Sequence, residues 1–179
     1  GGDTSQEPLV SSPEDKAWIL NSVGLCLDST GRGNLADPFY ERALYIALDT
    51  GDWANARAAY QNLSNLYNCR GDLSRSCHAA GQALDLARLA GRKDHEFHSL
   101  APQAWAYHLQ GNLEKASRHF REAEALEKEY DSSISHLYGL RGIHHADHLM
   151  RRGEADYVRK VTKANLKICK KYNFPAIMS

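Results

Sequence analysis

The run Ala104–Ala123, AWAYHLQGNLEKASRHFREA, decides the fold. Gly111 stands near its centre, with Asn112 directly after it. Glycine accepts the left-handed backbone that ends a helix, and Asn or Asp just beyond it receives hydrogen bonds from the free N–H groups that open the next. Neither flank contains a further Gly or Pro. The stretch therefore reads as helix, tight turn, helix.

The same punctuation recurs along the chain. Glycines fall at Gly31, Gly51, Gly71, Gly91 and Gly111, every twenty residues, and Gly153 resumes the series after one gap. Gly51-Asp52, Gly71-Asp72 and Gly153-Glu154 repeat the pairing of hinge and polar residue. Between the hinges apolar residues keep helical spacing, as in Leu63, Leu66, Tyr67 and Leu84, Ala87. Ser12-Pro13-Glu14-Asp15 supplies a capping Ser and a first-turn Pro, and Asp37-Pro38 is expected to open a second helix in the same way. The pattern predicts eight helices, near residues 13–30, 38–50, 53–70, 73–90, 94–110, 113–130, 133–152 and 154–172. Loops of a few residues make neighbouring helices antiparallel, and such pairs bury their apolar faces by stacking into a solenoid.

Composition narrows the classes. The 179 residues carry 22 Lys plus Arg against 22 Asp plus Glu, so the chain is neutral overall, which argues against a strongly basic nucleic-acid binder. No apolar run approaches a membrane span. The four cysteines, Cys26, Cys69, Cys77 and Cys169, form no CxxC pair, which favours a reduced, cytoplasmic setting over a disulfide framework. Residues 1–12 read as a leader with a cloning remnant and no signal peptide. Residues 173–179 read as the truncated start of a further helix or tail.

Aligned on the forty-residue hinges Gly31, Gly71, Gly111 and Gly153, the sequence resembles the tetratricopeptide repeat (TPR) family. The motif has a small residue seven before the hinge glycine and a large one four before, then Ala five after, an aromatic nine after and Ala twelve after. The third unit matches throughout: Ala104, Tyr107, Gly111, Ala116, Phe120, Ala123. The second keeps the sizes with Ser64, Tyr67, Gly71, Ser76, Ala80 and Ala83 but lacks the late aromatic. The first gives Gly24, Leu27, Gly31, Ala36, Tyr40 and Ala43, with Asp37-Pro38 implying a longer hinge and a shorter second helix. In the fourth, Ala146 and Leu149 fit while Val158, Thr162 and Asn165 depart. Long repeats of this kind look like those of kinesin light chains and of bacterial signalling multidomain proteins. The resemblance implies an all-α, right-handed superhelix of about four hairpins, near 13–50, 53–90, 94–130 and 133–172, that binds a protein or peptide segment in a concave groove.

In that family the first helix of each hairpin lines the groove. The corresponding positions here are Trp18, Asn21, Ser22, Leu25 and Asp28; Ala58, Gln61, Asn62, Asn65 and Asn68; His98, Ala101, Pro102, Trp105 and His108; and Leu140, Ile143, His144, Asp147 and Met150. Three Asn in one helix weaken it, because their side chains compete for backbone hydrogen bonds. Asn amides also offer a donor and an acceptor together, matching a peptide bond. Two readings stand for Gln61, Asn62, Asn65 and Asn68: a ligand ladder, or a solvated face. Trp105 is either an interface anchor beside His98, His108, His144 and Asp147 or part of the core. The groove lacks the Lys and Arg of chaperone-tail clamps. Pro102 implies a kinked helix or one starting near Ser99.

His144 and His148, one helical turn apart, are the weak candidates for a metal chelate, with hairpin-seam packing or a proton-sensitive ligand face as the other readings. Cys69 and Cys77 flank a hinge and are expected as buried small hydrophobes. No nucleophile elbow or P-loop occurs, so the expectation is a non-catalytic module without cofactor. Charge is uneven: residues 1–60 carry nine acids and four bases, whereas from Arg141 onward nine bases face three acids. That layout leaves two alternatives to peptide binding, a spacer that self-associates weakly and an RNA- or anion-binding last helix.

Overall fold

The computed structural model describes residues 8–171, so the expectations for the leader and for the 173–179 tail lie largely or wholly outside the described residues. Eight helices run in order: α1 (Pro13–Ser29), α2 (Gly33–Asp49), α3 (Trp53–Cys69), α4 (Leu73–Leu89), α5 (Lys93–Leu109), α6 (Leu113–Tyr130), α7 (Gly139–Arg151) and α8 (Ala155–Lys171). No strand occurs among the described residues, and none of their helices is long and apolar enough to cross a membrane. The chain forms two units, one up to Gly91 and one from Arg92 onward, each holding two helical hairpins.

Local chemistry sets the helix ends. At the α5–α6 turn, Gly111 takes φ +80°. The Asn112 N–H then reaches the Tyr107 carbonyl at 2.9 Å and the Gly111 N–H the His108 carbonyl at 2.9 Å, the pairing that satisfies the last carbonyls of a helix. The Asn112 side chain accepts from the Lys115 N–H to open α6. Asp52 and Asp72 cap α3 and α4 in the same way, and Ser12 caps α1.

In the first unit, small residues let the helices approach. Ala17, Ala47 and Ala56 form one buried cluster. Tyr40 of α2 packs with Ala36, Leu63, Leu66 and Tyr67 in another. The Tyr40 ring covers Gly24 so closely that a Cβ there would lie 2.7 Å from it. Ser64 and Ser76 replace apolar residues at this depth and satisfy each other: Ser76 Oγ donates to Asn68 Oδ1 at 2.6 Å, which leaves Ser64 Oγ to donate to Ser76 at 3.1 Å.

Two helix starts differ from expectation. α2 opens at Gly33, not at Pro38, and Pro38 lies within it. The missing Pro38 N–H leaves the Asn34 carbonyl without its helical donor, at a position exposed to water. Arg70 from the end of α3 holds this first turn, donating to the Gly33 carbonyl at 2.8 Å and pairing with Asp37. α7 opens at Gly139, six residues later than the pattern suggested. In the second unit, the Asn165 amide donates to the Leu137 carbonyl at 3.0 Å and its oxygen accepts from the Gly139 N–H at 3.1 Å. Those bonds keep 131–138 as a loop with Leu137 fully buried. α5 runs unbroken from Lys93 through Pro102, so the late start near Ser99 does not occur.

Candidate functional site

The expected site residues fall in both units. On α3, Gln61, Asn62, Asn65 and Asn68 are all half-buried, and three are engaged inside the protein. Gln61 Oε1 accepts from Arg57 at 2.8 Å. Asn62 donates to Asn21 Oδ1 at 3.0 Å, tying α3 to α1. Asn68 holds Ser76, while its own amide nitrogen is buried without a partner. Asn65 keeps its amide uncommitted among the described residues. Asn68 therefore has a structural duty that the sequence reading did not give it.

In the second unit, α5 and α7 bring Trp105, His108, His144, Asp147 and His148 together. The Trp105 and His144 rings stack with centroids 4.1 Å apart and 4° between planes, and His108 stacks on Trp105 at 4.8 Å. Trp105 is half-buried, neither core nor free surface. Leu140, Ile143 and Met150 on α7 stand 63%, 65% and 57% exposed, so the helix that bears His144 also presents three large apolar side chains.

His108 is not at the surface as its register implied; it is buried, as is Ala101. The cause is a hydrogen-bonded chain. His108 Nε2 lies 3.0 Å from Asp147 Oδ2, the His108 and His148 Nδ1 atoms are 3.1 Å apart, and His148 Nε2 lies 2.8 Å from Ser117 Oγ. One set of protons satisfies all three bonds: Ser117 donates to His148, His148 donates through Nδ1 to His108, and His108 donates through Nε2 to the carboxylate. Both imidazoles are then neutral. Burial holds His148 and His144 down at about 4 and lowers His108 despite the adjacent carboxylate. Both ring nitrogens of His148 are thus spent, and the His144 ring lies on the indole, so the i, i+4 pair does not present a chelate. Among the described residues no group of three or more His, Cys, Asp or Glu side chains could hold a metal ion.

His98, expected on the ligand face, accepts from Arg141 at 2.9 Å. Arg141 also donates to Glu127 at 2.5 Å, and Glu127 is 2% exposed. Burial raises the Glu127 carboxyl above its ordinary range even with this partner. A second carboxylate, the half-buried Glu124, was not singled out from the sequence. Burial alone would raise it, but contacts from His145 and Tyr157, with His136 nearby, hold it down at about 2. The separate entries of His136, His145 and Tyr157 into this cluster follow no motif spacing; only the density of His between residues 136 and 148 hinted at it. A cavity of about 210 Å³ beside His145, His148, Arg121 and Arg152 opens between α6, α7 and the start of α8.

The cysteine expectation fails at Cys69, which is exposed because it closes α3 at the hinge; Cys77 is half-buried, and none of the four cysteines forms a disulfide among the described residues.

No family model and no curated protein matches the sequence. Solved structures do. The chain is similar to nearly identical TPR-like repeats of a putative kinesin light chain from Podosopora anserina, at TM-score 0.66 and 16% identity over 93% of this chain and 82% of that one. A form of that protein carrying one substitution gives TM-score 0.69 and 16% identity over 90% and 78%. The likeness shows the fold: an all-α solenoid of TPR-like hairpins.

Proposed function

We propose that the chain is a non-catalytic module that binds a protein or peptide segment, with the α5/α7 face as its principal contact surface. The observation that carries this reading is the Trp105–His144 stack on a helix that also exposes Leu140, Ile143 and Met150. A half-buried indole fixed by ring stacking offers a large rigid contact at low entropic cost, and the exposed apolar residues of α7 add to it. Asp147, 61% exposed at the end of the histidine chain, supplies a charged rim. In the other unit, Asn65 on α3 offers an amide contact of its own. Within a larger signalling protein, such a module would act as sensor or scaffold for an effector domain.

The test is selection of random dodecapeptides displayed on phage against the immobilised protein, followed by calorimetry with the enriched sequence. Trp105→Ala should weaken binding at least tenfold, with helicity unchanged. Enrichment of no sequence, or equal affinity for wild type and Trp105→Ala, would overturn the proposal.

A further inference from the structure

The first helix carries an apolar face that stays open among the described residues. Trp18 is 61% exposed and Val23 37%, Cys26 is exposed, and Ile19 beside them is half-buried. These residues line one shallow trough along α1. The forty-residue register shows what such a face is for. Ile19, Val23 and Cys26 correspond to Ala59, Leu63 and Leu66 on α3, which are 0%, 3% and 1% exposed. Leu63 and Leu66 owe that burial to the preceding hairpin, packing on Ala36 and Tyr40 of α2. So α1 presents the surface that α3 uses to dock on a hairpin before it.

The last hairpin presents the complementary side. Ala36 and Tyr40 lie five and nine residues after the Gly31 hinge; the same positions after Gly153 are Val158 and Thr162. Val158 is half-buried, Thr162 is exposed, and Leu166, one turn on, is 41% exposed. Charge also matches. α8 holds Arg159, Lys160, Lys163, Lys167, Lys170 and Lys171 against Asp156 alone, whereas α1 holds Glu14, Asp15 and Asp28 against Lys16. Only three residues separate Asp49 at the end of α2 from Trp53 at the start of α3, so a second helix ends where the next first helix begins. A hairpin docked in that register would set the last turn of α8, with Lys170, beside the first turn of α1, with Glu14 and Asp15.

We infer that the α1 face receives the α8 side of a second copy of this chain, joining copies head to tail. Because the two surfaces differ, the contact does not close on itself, and growth continues past the dimer. Apolar packing supplies the attraction; the opposed charges choose the partner and make the contact sensitive to salt.

Light scattering with sedimentation velocity tests this over about 5–500 µM protein at low and high salt. The weight-average mass should climb beyond twice the monomer with concentration, and association should weaken at least tenfold at high salt. Val23→Asp, with Trp18→Lys as an independent second change, removes one face; Thr162→Glu with Leu166→Glu, at the positions that Tyr40 and Leu44 hold in α2, removes the other. Each should remain monomeric with wild-type circular dichroism. Mixed together they should form a one-to-one dimer and nothing larger, since each retains one competent face. A wild type monomeric throughout, growth that stops at the dimer, variants that still assemble, or a mixture that stays monomeric would each overturn the inference.

Discussion

Trp105 on α5 and His144 on α7 lie ring on ring, 4.1 Å apart and within 4° of parallel. The stack joins successive hairpins of the second unit through side chains that a binding partner could also touch. His144→Ala should therefore shift the Trp105 fluorescence and cost roughly 0.5–1.5 kcal/mol of stability in urea unfolding, the range of an aromatic pair. An unchanged emission spectrum would show that the rings do not stack in solution.

Gly24 and Tyr40 provide a steric test in the first unit. Gly24→Ala places a methyl group 2.7 Å from the ring and should destabilise by about 1–3 kcal/mol. Tyr40→Leu in the same chain should recover part of that loss, so a double-mutant cycle in urea would show a coupling of opposite sign. Additive costs would separate the two residues.

Acid should weaken the second unit before the first. Eight of the nine histidines lie beyond Gly91, His78 being the exception. His144 and His148 are held neutral, at about 4 against an ordinary 6.5. A histidine with a depressed folded pKa binds fewer protons folded than unfolded, so its stability is full above about 6.5 and falls as the pH drops toward 4. Buried His148 should account for a loss on the order of 2–3 kcal/mol across that window, at about 1.4 kcal/mol per unit. Glu124, held at about 2, stays charged and does not add to the loss there. Calorimetric scans from pH 7 to 4.5 should show the low-pH transition shift, with His148→Gln flattening the dependence.

Arg141 is the partner of a carboxylate that is 2% exposed. Arg141→Ala leaves Glu127 buried and unpaired and should cost about 3–5 kcal/mol at neutral pH. Part of that cost should return on acidification, because protonated Glu127 no longer needs the cation. A pH-independent loss would show that Arg141 acts through packing on Phe97 and Tyr138 instead.

Much of the fold is legible in the residues themselves, and the reasons are local. A glycine in the left-handed region followed by Asp or Asn is a chemical instruction readable from two residues, and Gly51-Asp52, Gly71-Asp72 and Gly111-Asn112 all act on it. Gly24 under Tyr40 and Ala104 at full burial follow the small-residue spacing. What the sequence concealed depends on tertiary partners. Pro38 reads as a helix start until Arg70 fixes the turn before it. Asn165 looks like repeat decay but is the clamp on Leu137 and Gly139. The same loop explains Gly142, where a Cβ would lie 2.3 Å from the Leu137 carbonyl oxygen. At the site, spacing brought Trp105 and His144 to one face, yet it could not show that His108 is spent on His148 and Asp147, or that Asn68 serves Ser76.

The most direct measurement follows the three indole N–H signals, from Trp18, Trp53 and Trp105, in nitrogen–proton correlation spectra as a phage-selected dodecapeptide is added. The account predicts that the Trp105 signal moves with the titration, together with backbone signals of Ile143 and His144, while Trp18 and Trp53 hold still. A shift confined to Trp18 or Trp53, with Trp105 unmoved at saturation, would contradict it.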